Sequence, residues 1–245
     1  MAEPAIKDGT EHFGVVTWTG NNSSPRAITG VGHQPDFIWI KDRVATNNHV
    51  LVDTNRGLSE LLYSNTTVAG VTSATQVSSS NTDGFTLGAT TYVNESGSSN
   101  TYVAWNWKGN GGTNTSITTG TIDTVVQANT TAGFSIVKYT GIGTSGAAYH
   151  GLSKAPEAIW IKDRDNSTNW RCWHTGFGNI TTYQKLNSDD GYGSASMWGT
   201  PTADAFIIGG AGNEVNESST DYVAYCWHSV DGFSKFGKYV GYGSA

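Results

Sequence analysis

The sequence predicts an all-β protein of two tandem antiparallel β-sandwich domains, jelly-roll-like in form, that arose by an internal duplication. Composition is the first reason: 31 Gly, 11% aromatic and only 14% charged residues leave few of the residue types that favour helices. Short apolar segments bounded by turn residues are the second reason. The third is that the sequence repeats after about 121 residues, a period too long for a solenoid unit.

The repeat also predicts the domain boundaries. FGVVTWTG at residues 13–20 returns as FSIVKYTG at 134–141, and QPDFIWIKDR at 34–43 returns as APEAIWIKDR at 155–164. We place the first sandwich at 1–110, a linker and connecting strand at 111–132, the second sandwich at 133–231 and a truncated third-repeat strand at 232–245. This last strand, Lys235–Val240, is expected to cap the second domain by covering an edge that would otherwise pair with a neighbouring chain.

Each half contains strand signals at regular short spacing, which indicates a sandwich or a barrel, and we favour the sandwich. In the first half the predicted strands are Phe13–Thr19, Asp36–Asp42, His49–Thr54, Glu60–Ser64, Gly84–Gly88 and Thr101–Trp107. In the second half they are Phe134–Thr140, Glu157–Asp163, Trp170–Thr175, Thr182–Asn187, Ala205–Gly209 and Asp221–His228. Thr121–Asn129 is predicted to form one more strand between the halves.

Alternation along a strand predicts which side chains are buried, because neighbouring side chains point to opposite faces. The core candidates are Val103, Trp105 and Trp107 in the first half and Val223, Tyr225 and Trp227 in the second. The segments at residues 37–41 and 158–162 are apolar on both faces, which is typical of a central strand that is covered on both sides. Trp39 and Trp160 are therefore expected to pack in the core.

Charge and hydropathy exclude several classes of function. The formal net charge is −6 and the pI is about 5.4, so we expect no nucleic acid partner, because phosphate recognition needs clustered Lys and Arg. No run approaches the ~20 apolar residues of a membrane helix, and the first residues lack the apolar centre of a signal peptide. We therefore expect a soluble protein with no membrane insertion and no secretory export.

We expect no metal and no other cofactor. The six His residues show no metal-ligand spacing such as H-E-x-x-H, and no G-x-S-x-G motif of a serine hydrolase occurs. Cys172 and Cys226 stand where the first half has Leu51 and Asn106, so one half folds without them. Buried free thiols are the simplest interpretation, although a disulfide between them stays open at this point.

A resemblance to a known family comes from the second half. The segment Ala128–Gly141 closely resembles a repeat in virion proteins of tailed bacteriophages, especially those of marine bacteria and cyanobacteria. The segments His150–Arg164, Asp221–Trp227 and Gly232–Gly237 are similar to the parts of that repeat that follow. The first half resembles it more loosely.

The resemblance implies a structural virion protein on the particle surface, assembled in the host cytoplasm. A tail fibre or tail-associated adaptor for host recognition is the role that it most directly suggests. The implied partners are other virion proteins and a host surface glycan or receptor, and a homo-oligomer is expected because such assemblies are symmetric. These repeats usually lie inside longer fibre proteins, so capsid decoration stays open as an alternative. The family supplies no catalytic residues.

An enzyme is the second alternative, in the form of a polysaccharide depolymerase. Glycoside cleavage requires two carboxyl groups about 5–10 Å apart. Asp189 and Asp190 are candidates, together with Glu217 and Asp221. An Asp-Asp-Gly sequence is more commonly a turn, and the Val-Asn-Glu-Ser context of Glu217 recurs in the first half, which favours a shared loop.

Ligand binding is predicted in a polar and aromatic part of the second half. The candidate residues are Trp170, Arg171, His174, Tyr183 and Trp198. Aromatic faces beside polar groups hold sugars or partner surfaces, although about half of the side chains on an alternating strand point inward to the core. The Lys-Asp-Arg sequences at residues 41–43 and 162–164 are interpreted as solvated strand ends with ion pairs of ~0–1 kcal/mol.

Overall fold

The computed structural model describes residues 5–88, 90–96, 100–210, 212, 214–239 and 241. The predicted all-β antiparallel fold is confirmed. The described helical segments are short: α1 (Thr91–Asn94) and two 3-10 turns at Gly9–Glu11 and Thr175–Phe177. All strand pairs within the named sheets are antiparallel.

The first half forms a six-stranded sheet with the order β1-β9-β3-β4-β5-β6 and a three-stranded sheet with the order β2-β8-β7. The strands are β1 (Phe13–Thr19), β2 (Arg26–Thr29), β3 (Phe37–Asp42), β4 (Val50–Asp53), β5 (Glu60–Tyr63), β6 (Val71–Thr72), β7 (Val77–Asn81), β8 (Gly84–Leu87) and β9 (Thr101–Trp107). The two sheets pack around a core that includes Ile38, Phe85 and Tyr102.

The second half forms a six-stranded sheet with the order β10-β11-β12-β19-β14-β15 and small sheets of β13-β18 and β16-β17. The strands are β10 (Thr115–Ile117), β11 (Thr124–Asn129), β12 (Phe134–Thr140), β13 (Gly146–Tyr149), β14 (Ala158–Asp163), β15 (Arg171–His174), β16 (Thr182–Tyr183), β17 (Gly193–Ser194), β18 (Ala205–Ile208) and β19 (Asp221–Trp227). Its own core includes Ile159, Phe206 and Tyr222.

The strand order β12-β19-β14-β15 of the second half corresponds to β1-β9-β3-β4 of the first. The register corresponds as well: Phe13 lies opposite Trp107, and Phe134 lies opposite Trp227. The two sheets differ in what pairs with the first strand of each set. β12 pairs with β11, and β11 pairs with β10, whereas β1 has no corresponding strand at its edge in the described residues.

A third core joins the two halves. It contains Phe37, Leu51 and Leu62 of the first half together with Phe134, Ile136, Ala158, Trp170, Val223, Tyr225 and Trp227 of the second. The two six-stranded sheets thus pack face to face. Matching residues meet in this layer, as across an approximate two-fold axis: the ring centroids of Trp39 and Trp160 lie 5.8 Å apart, and those of Trp107 and Trp227 lie 6.3 Å apart.

A buried polar network crosses the same layer. Arg56 Nε lies 2.6 Å from Asp53 Oδ2, and the Tyr225 hydroxyl donates to the same carboxylate oxygen at 2.7 Å. Arg56 Nη1 also donates to the Glu60 carbonyl at 2.7 Å. Burial, the largest single effect, lowers the pKa of Arg56, but the charge of Asp53, the Tyr225 hydroxyl and the hydrogen bonds to both together outweigh it, and the pKa is raised. The pair is therefore a buried ion pair of the first half, and the Tyr225 hydroxyl connects it to the second half.

The shared layer changes the interpretation of the core candidates. Val103, Trp105 and Trp107 are half-buried, whereas the opposite face of β9, with Tyr102 and Ala104, is fully buried. In β19 the side chains on both faces are buried. The expectation that both faces of β3 and β14 are covered is confirmed, and the other half of the chain covers one of them.

Residues 111–132 hold more structure than a linker, because β10 and β11 belong to the second six-stranded sheet. Within Lys235–Val240, residues 235–239 form no strand, and Val240 lies outside the described residues. Phe236 nevertheless packs against the shared core and donates its backbone N–H to Ser229 Oγ at 3.1 Å. The tail therefore contacts the second half as an irregular segment and not as an added strand.

The Lys-Asp-Arg sequences are not solvated strand ends. Lys162 is fully buried, and its Nζ donates to the carbonyls of Asp163 and Asn166 at 2.7 and 3.2 Å. Asp163 Oδ1 accepts the backbone N–H groups of Asp165 and Asn166. Lys41 and Asp42 make the same kinds of contact in the first half. Both sequences therefore fix the loop that follows the strand.

Cys172 and Cys226 are buried free thiols, which confirms the simplest interpretation of the sequence. Burial raises the pKa of both thiols, so both are protonated at neutral pH. Among the described residues, no helix is long and apolar enough to cross a bilayer.

Candidate functional site: an aromatic groove in the second half

The turn that follows β4 closes one end of the shared layer between the two six-stranded sheets. There Asn55 Nδ2 donates to the carbonyls of Val125 and Ile136, both at 2.9 Å, and Arg56 forms the buried ion pair with Asp53 described above. The matching turn in the second half is His174-Thr175-Gly176-Phe177, which lacks Asn, Arg and Asp. A groove of about 1010 Å³ opens beside this second turn.

The groove has an apolar floor and a mixed rim. Trp160, Cys172 and Leu186 lie in the floor. The rim carries rings and hydrogen-bonding groups from the end of β15 and the turn after it, from β16 and the following loop, and from the tail: His174, Phe177, Thr182, Gln184, Lys185, Ser188, Tyr192, Lys238 and Tyr239. An apolar floor with a few polar groups around it is the usual composition of a ligand pocket.

Two of the rim rings are unusually exposed. Tyr192 is 71% exposed and Tyr239 is 92% exposed. Tyr192 stands edge-on to Phe177, with the ring centroids 5.2 Å apart, so these two rings form a fixed corner. A Tyr ring in solvent offers an apolar face and a polar hydroxyl to whatever enters the groove.

His174 is oriented by its own turn. Its Nδ1 accepts the backbone N–H of Gly176 at 2.8 Å, so the neutral ring carries its proton on Nε2. Burial lowers the pKa of His174, against a smaller opposing effect of Glu157, and the ring is therefore neutral at pH 7. Nε2–H has no hydrogen-bond partner in the described part of the chain, which leaves one directed donor for a ligand.

Of the predicted binding residues, only His174 lines the groove. Trp170 is fully buried in the shared layer, where its Nε1 donates to the Tyr63 carbonyl at 2.9 Å. Trp198 is 5% exposed and belongs to the second half's own core. These two tryptophans are corrected from ligand-binding to core residues, because their rings face the packed layers and not the solvent.

Arg171 and Tyr183 lie together on the other side of β15. The Arg171 guanidinium sits 4.6 Å from the centroid of the Tyr183 ring and pairs with Glu214 Oε2 at 2.6 Å. Alternation explains the separation, because Arg171 lies opposite Ile161 in the second half's core, whereas Cys172 and His174 point to the opposite face. The two predicted residues are therefore in contact with each other and outside the groove.

The sequence reasoning missed Tyr192, Tyr239, Gln184 and Lys185. A usable signal was present for the two tyrosines, which lie in the glycine-rich segments Gly191-Tyr192-Gly193 and Gly237–Gly241. An aromatic residue among glycines has no local side chains to pack against and is therefore often exposed. No comparable sequence signal marks Gln184 as a groove residue.

The carboxylates proposed for a depolymerase do not line the groove. Asp190 is held by Lys185 Nζ at 2.5 Å, a contact that lowers the pKa of Asp190. Asp221 accepts a hydrogen bond from Thr140 in a different cavity, and Glu217 accepts the backbone N–H of Gly212. None of the described residues that line the groove is Asp or Glu. No group of His, Cys, Asp and Glu in the described residues is arranged to hold a metal ion.

Comparison with known proteins places both halves in one unit. A family model described as a domain of unknown function, DUF7483, matches residues 8–245. The chain belongs to the DUF7483 family. The match spans both sandwiches, the shared layer and the groove, so the family's domain is the pair of halves and not the single repeat. No curated protein and no solved structure matches the chain.

Proposed function

We propose that this protein is a non-catalytic component of a tailed bacteriophage virion, in the tail fibre or a tail-associated adaptor, and that its groove binds a host surface glycan. The observation that carries the proposal is the rim of the groove, where two largely exposed tyrosines and a directed His174 donor surround an apolar floor.

This rim suits carbohydrate. The C–H faces of a sugar ring stack on aromatic rings, and the corner formed by Phe177 and Tyr192 offers two such faces. Sugar hydroxyls need donors and acceptors at short range, which His174 Nε2–H, Gln184 and Thr182 supply from neighbouring positions. A groove of about 1010 Å³ has room for more than one sugar unit.

Binding without cleavage fits the charge of the groove. Hydrolysis of a glycosidic bond requires a carboxylic acid and a second carboxylate on opposite sides of the bond. The described lining supplies neither, and its cations are Lys185, which is paired with Asp190, and Lys238. Weak affinity per groove is sufficient in a symmetric particle, because tethered sites rebind at high effective concentration.

The virion assignment is supported by the resemblance of residues 128–141, 150–164 and 221–227 to the phage repeat. In the structure these segments form β12, β14, β19 and the end of β11, which are the central strands of the second six-stranded sheet. They are framework strands, whereas the groove is built largely from the segments between and after them, β15–β16, the loop to β17 and the tail. Framework strands that position a site built from the connecting segments are the arrangement expected of a recognition module.

A glycan array tests the groove. We expect Tyr192→Ser and His174→Gln each to weaken binding by about tenfold or more, because each removes a stacking face or a directed hydrogen bond. Tyr92→Ser is the matched control, since Tyr92 is an exposed tyrosine in α1 and does not line the groove. Equal loss in the control, or no glycan bound by the unaltered protein, would refute the proposal.

Two further observations test the other parts of the proposal. Antibody labelling of intact particles is expected to mark the tail, whereas labelling confined to the capsid would replace the tail role by decoration. Incubation with the bound glycan is expected to release no reducing ends. Release that is lost in Asp190→Asn would overturn the non-catalytic assignment.

A further inference from the structure

A second cavity, of about 390 Å³, lies at the far end of β12 and shares no lining residue with the groove. Its walls come from β10–β11, β12, the start of β19 and the loop after β14. The lining is dominated by charged and hydroxyl side chains: Ser116, Thr118, Asp123, Thr124, Lys138, Thr140, Arg164 and Asp221. The glycan binding proposed for the groove does not involve this cavity.

Two cations in the cavity are poorly neutralised. Lys138 is half-buried, and its Nζ has no hydrogen-bond or ion-pair partner among the described residues. Burial lowers the pKa of Lys138, and the nearby charge of Arg164 lowers it further. Arg164 Nη1 has only a long contact, 3.8 Å, with Asp221 Oδ2. An anion between the two cations would give both of them a partner.

Hydrogen bonds already hold the Asp221 side of the cavity in place. Asp221 Oδ1 accepts the hydroxyl of Thr140 at 2.7 Å, and the Asp221 backbone N–H donates to Asp165 Oδ2 at 2.8 Å. Asp123 lines the same space. Carboxylates repel a compact multivalent anion such as phosphate, but they accept hydrogen bonds from the hydroxyls of a sugar. The mixture of charges therefore selects a ligand that has both a negative group and hydroxyls.

Comparison of the two halves indicates that the charges of Lys138 and Asp221 are not required by the fold. The matching positions in the first half are Thr17 for Lys138 and Thr101 for Asp221. Both pairs occupy the same register, because Thr17 and Thr101 lie on β1 and β9 just as Lys138 and Asp221 lie on β12 and β19. A threonine therefore satisfies this strand, and the lysine is an addition specific to the second half.

We infer that this cavity binds a carboxylate-bearing sugar, such as a uronic acid unit of a host polysaccharide. The sugar carboxylate lies between Lys138 and Arg164, and the ring hydroxyls face Asp123 and Asp221. The volume of about 390 Å³ is at the small end of ligand pockets and suits one sugar ring. The inference does not rest on the groove, because the two sites share no residue.

Isothermal titration calorimetry with trigalacturonate and with neutral galactotriose tests the inference. Lys138→Thr copies the residue of the first half and should fold normally, and Lys138→Met keeps the length of the side chain without its charge. Both should weaken trigalacturonate binding by about tenfold or more, the loss expected when a charge-assisted hydrogen bond is removed. Lys235→Thr is the matched control, since Lys235 is exposed and outside the cavity.

Support requires that trigalacturonate binds, that both Lys138 variants lose it, and that Tyr192→Ser keeps it. Binding that survives in both Lys138 variants, or that is lost equally in Lys235→Thr, would overturn the inference. Binding that is lost in Tyr192→Ser alone would assign the acidic sugar to the groove and likewise overturn it. Displacement of trigalacturonate by millimolar phosphate would show a simple anion site with no sugar specificity.

Discussion

Replacing Arg56 by methionine should destabilise the whole chain by about 3–5 kcal/mol, because it leaves the Asp53 carboxylate buried without its cation. The side chains of Arg56 and Asp53 are 1% and 0% exposed, so water cannot take the place of the guanidinium. The Tyr225 hydroxyl still donates to Asp53 in the variant, as does the backbone N–H of Arg56 at 2.7 Å. These two neutral donors reduce the loss but do not cancel it.

The contacts that disappear set the magnitude. Arg56 Nε–H donates to Asp53 at 2.6 Å, and Nη1–H donates to the Glu60 carbonyl at 2.7 Å. A hydrogen bond to a charged group contributes about 1.5–3 kcal/mol and one to a carbonyl about 1 kcal/mol. Their sum, about 2.5–4 kcal/mol, overlaps the range of about 3–5 kcal/mol found when one partner of a buried ion pair is removed.

Urea unfolding followed by tryptophan fluorescence measures the effect. Trp39 and Trp107 of the first half and Trp160 and Trp227 of the second border the same layer, so one transition should report both halves. Phe177→Met is the matched control, because Phe177 occupies the position of Arg56 in the second half and is half-buried. We expect the control to change the free energy of unfolding by about 1 kcal/mol or less.

A loss below about 1 kcal/mol in Arg56→Met would show that the Arg56–Asp53 ion pair is solvated and would refute the reasoning. Two separate unfolding transitions in the unaltered protein would be equally damaging, because a shared layer requires the halves to unfold together. Asp53→Leu combined with Arg56→Met offers a further check. Removal of both charges should recover most of the loss, since no unpaired charge then stays buried.

Two other predictions concern pH and packing. Burial lowers the pKa of His150 to about 4. Between pH 6.5 and about 4 the unfolded chain therefore binds a proton on His150 that the folded chain does not bind. Stability should therefore fall from pH 6.5 to about 4, by up to ~3 kcal/mol, and urea midpoints of His150→Gln should show a smaller fall. Trp170→Ala should cost about 3–5 kcal/mol of stability while glycan affinity per folded molecule is unchanged, because Trp170 is a core residue. Lost affinity at unchanged stability would return Trp170 to the binding site.

Local pattern was sufficient for the framework strands. Phe13–Thr19, Phe134–Thr140 and Thr101–Trp107 were predicted with the bounds that the structure has, because β-branched and aromatic residues end there at turn residues. Short strands without this pattern were missed, such as β7 (Val77–Asn81), whose sequence Val-Ser-Ser-Ser-Asn is typical of a loop. Pairing with β8 makes it a strand, and pairing is a long-range property.

The site was harder to predict than the fold. The apolar residues on both faces of β3 indicated that both faces are covered. They could not indicate that the other half of the chain covers one of them. For the same reason Trp170 was expected at a binding surface: it precedes β15 in a polar segment, and only the docking of the halves buries it. The groove depends on the tail returning to the turn at His174, a contact between residues far apart in sequence.

The meeting of like residues, Trp39 with Trp160 and Trp107 with Trp227, has a consequence for handling the protein. Surfaces that are complementary within one polypeptide are equally complementary between two, so the first half of one molecule can dock on the second half of another. Refolding at high concentration should favour such exchanged dimers, and dilution should favour monomers. A truncated version holding one half would present a bare aromatic sheet and should precipitate or self-associate.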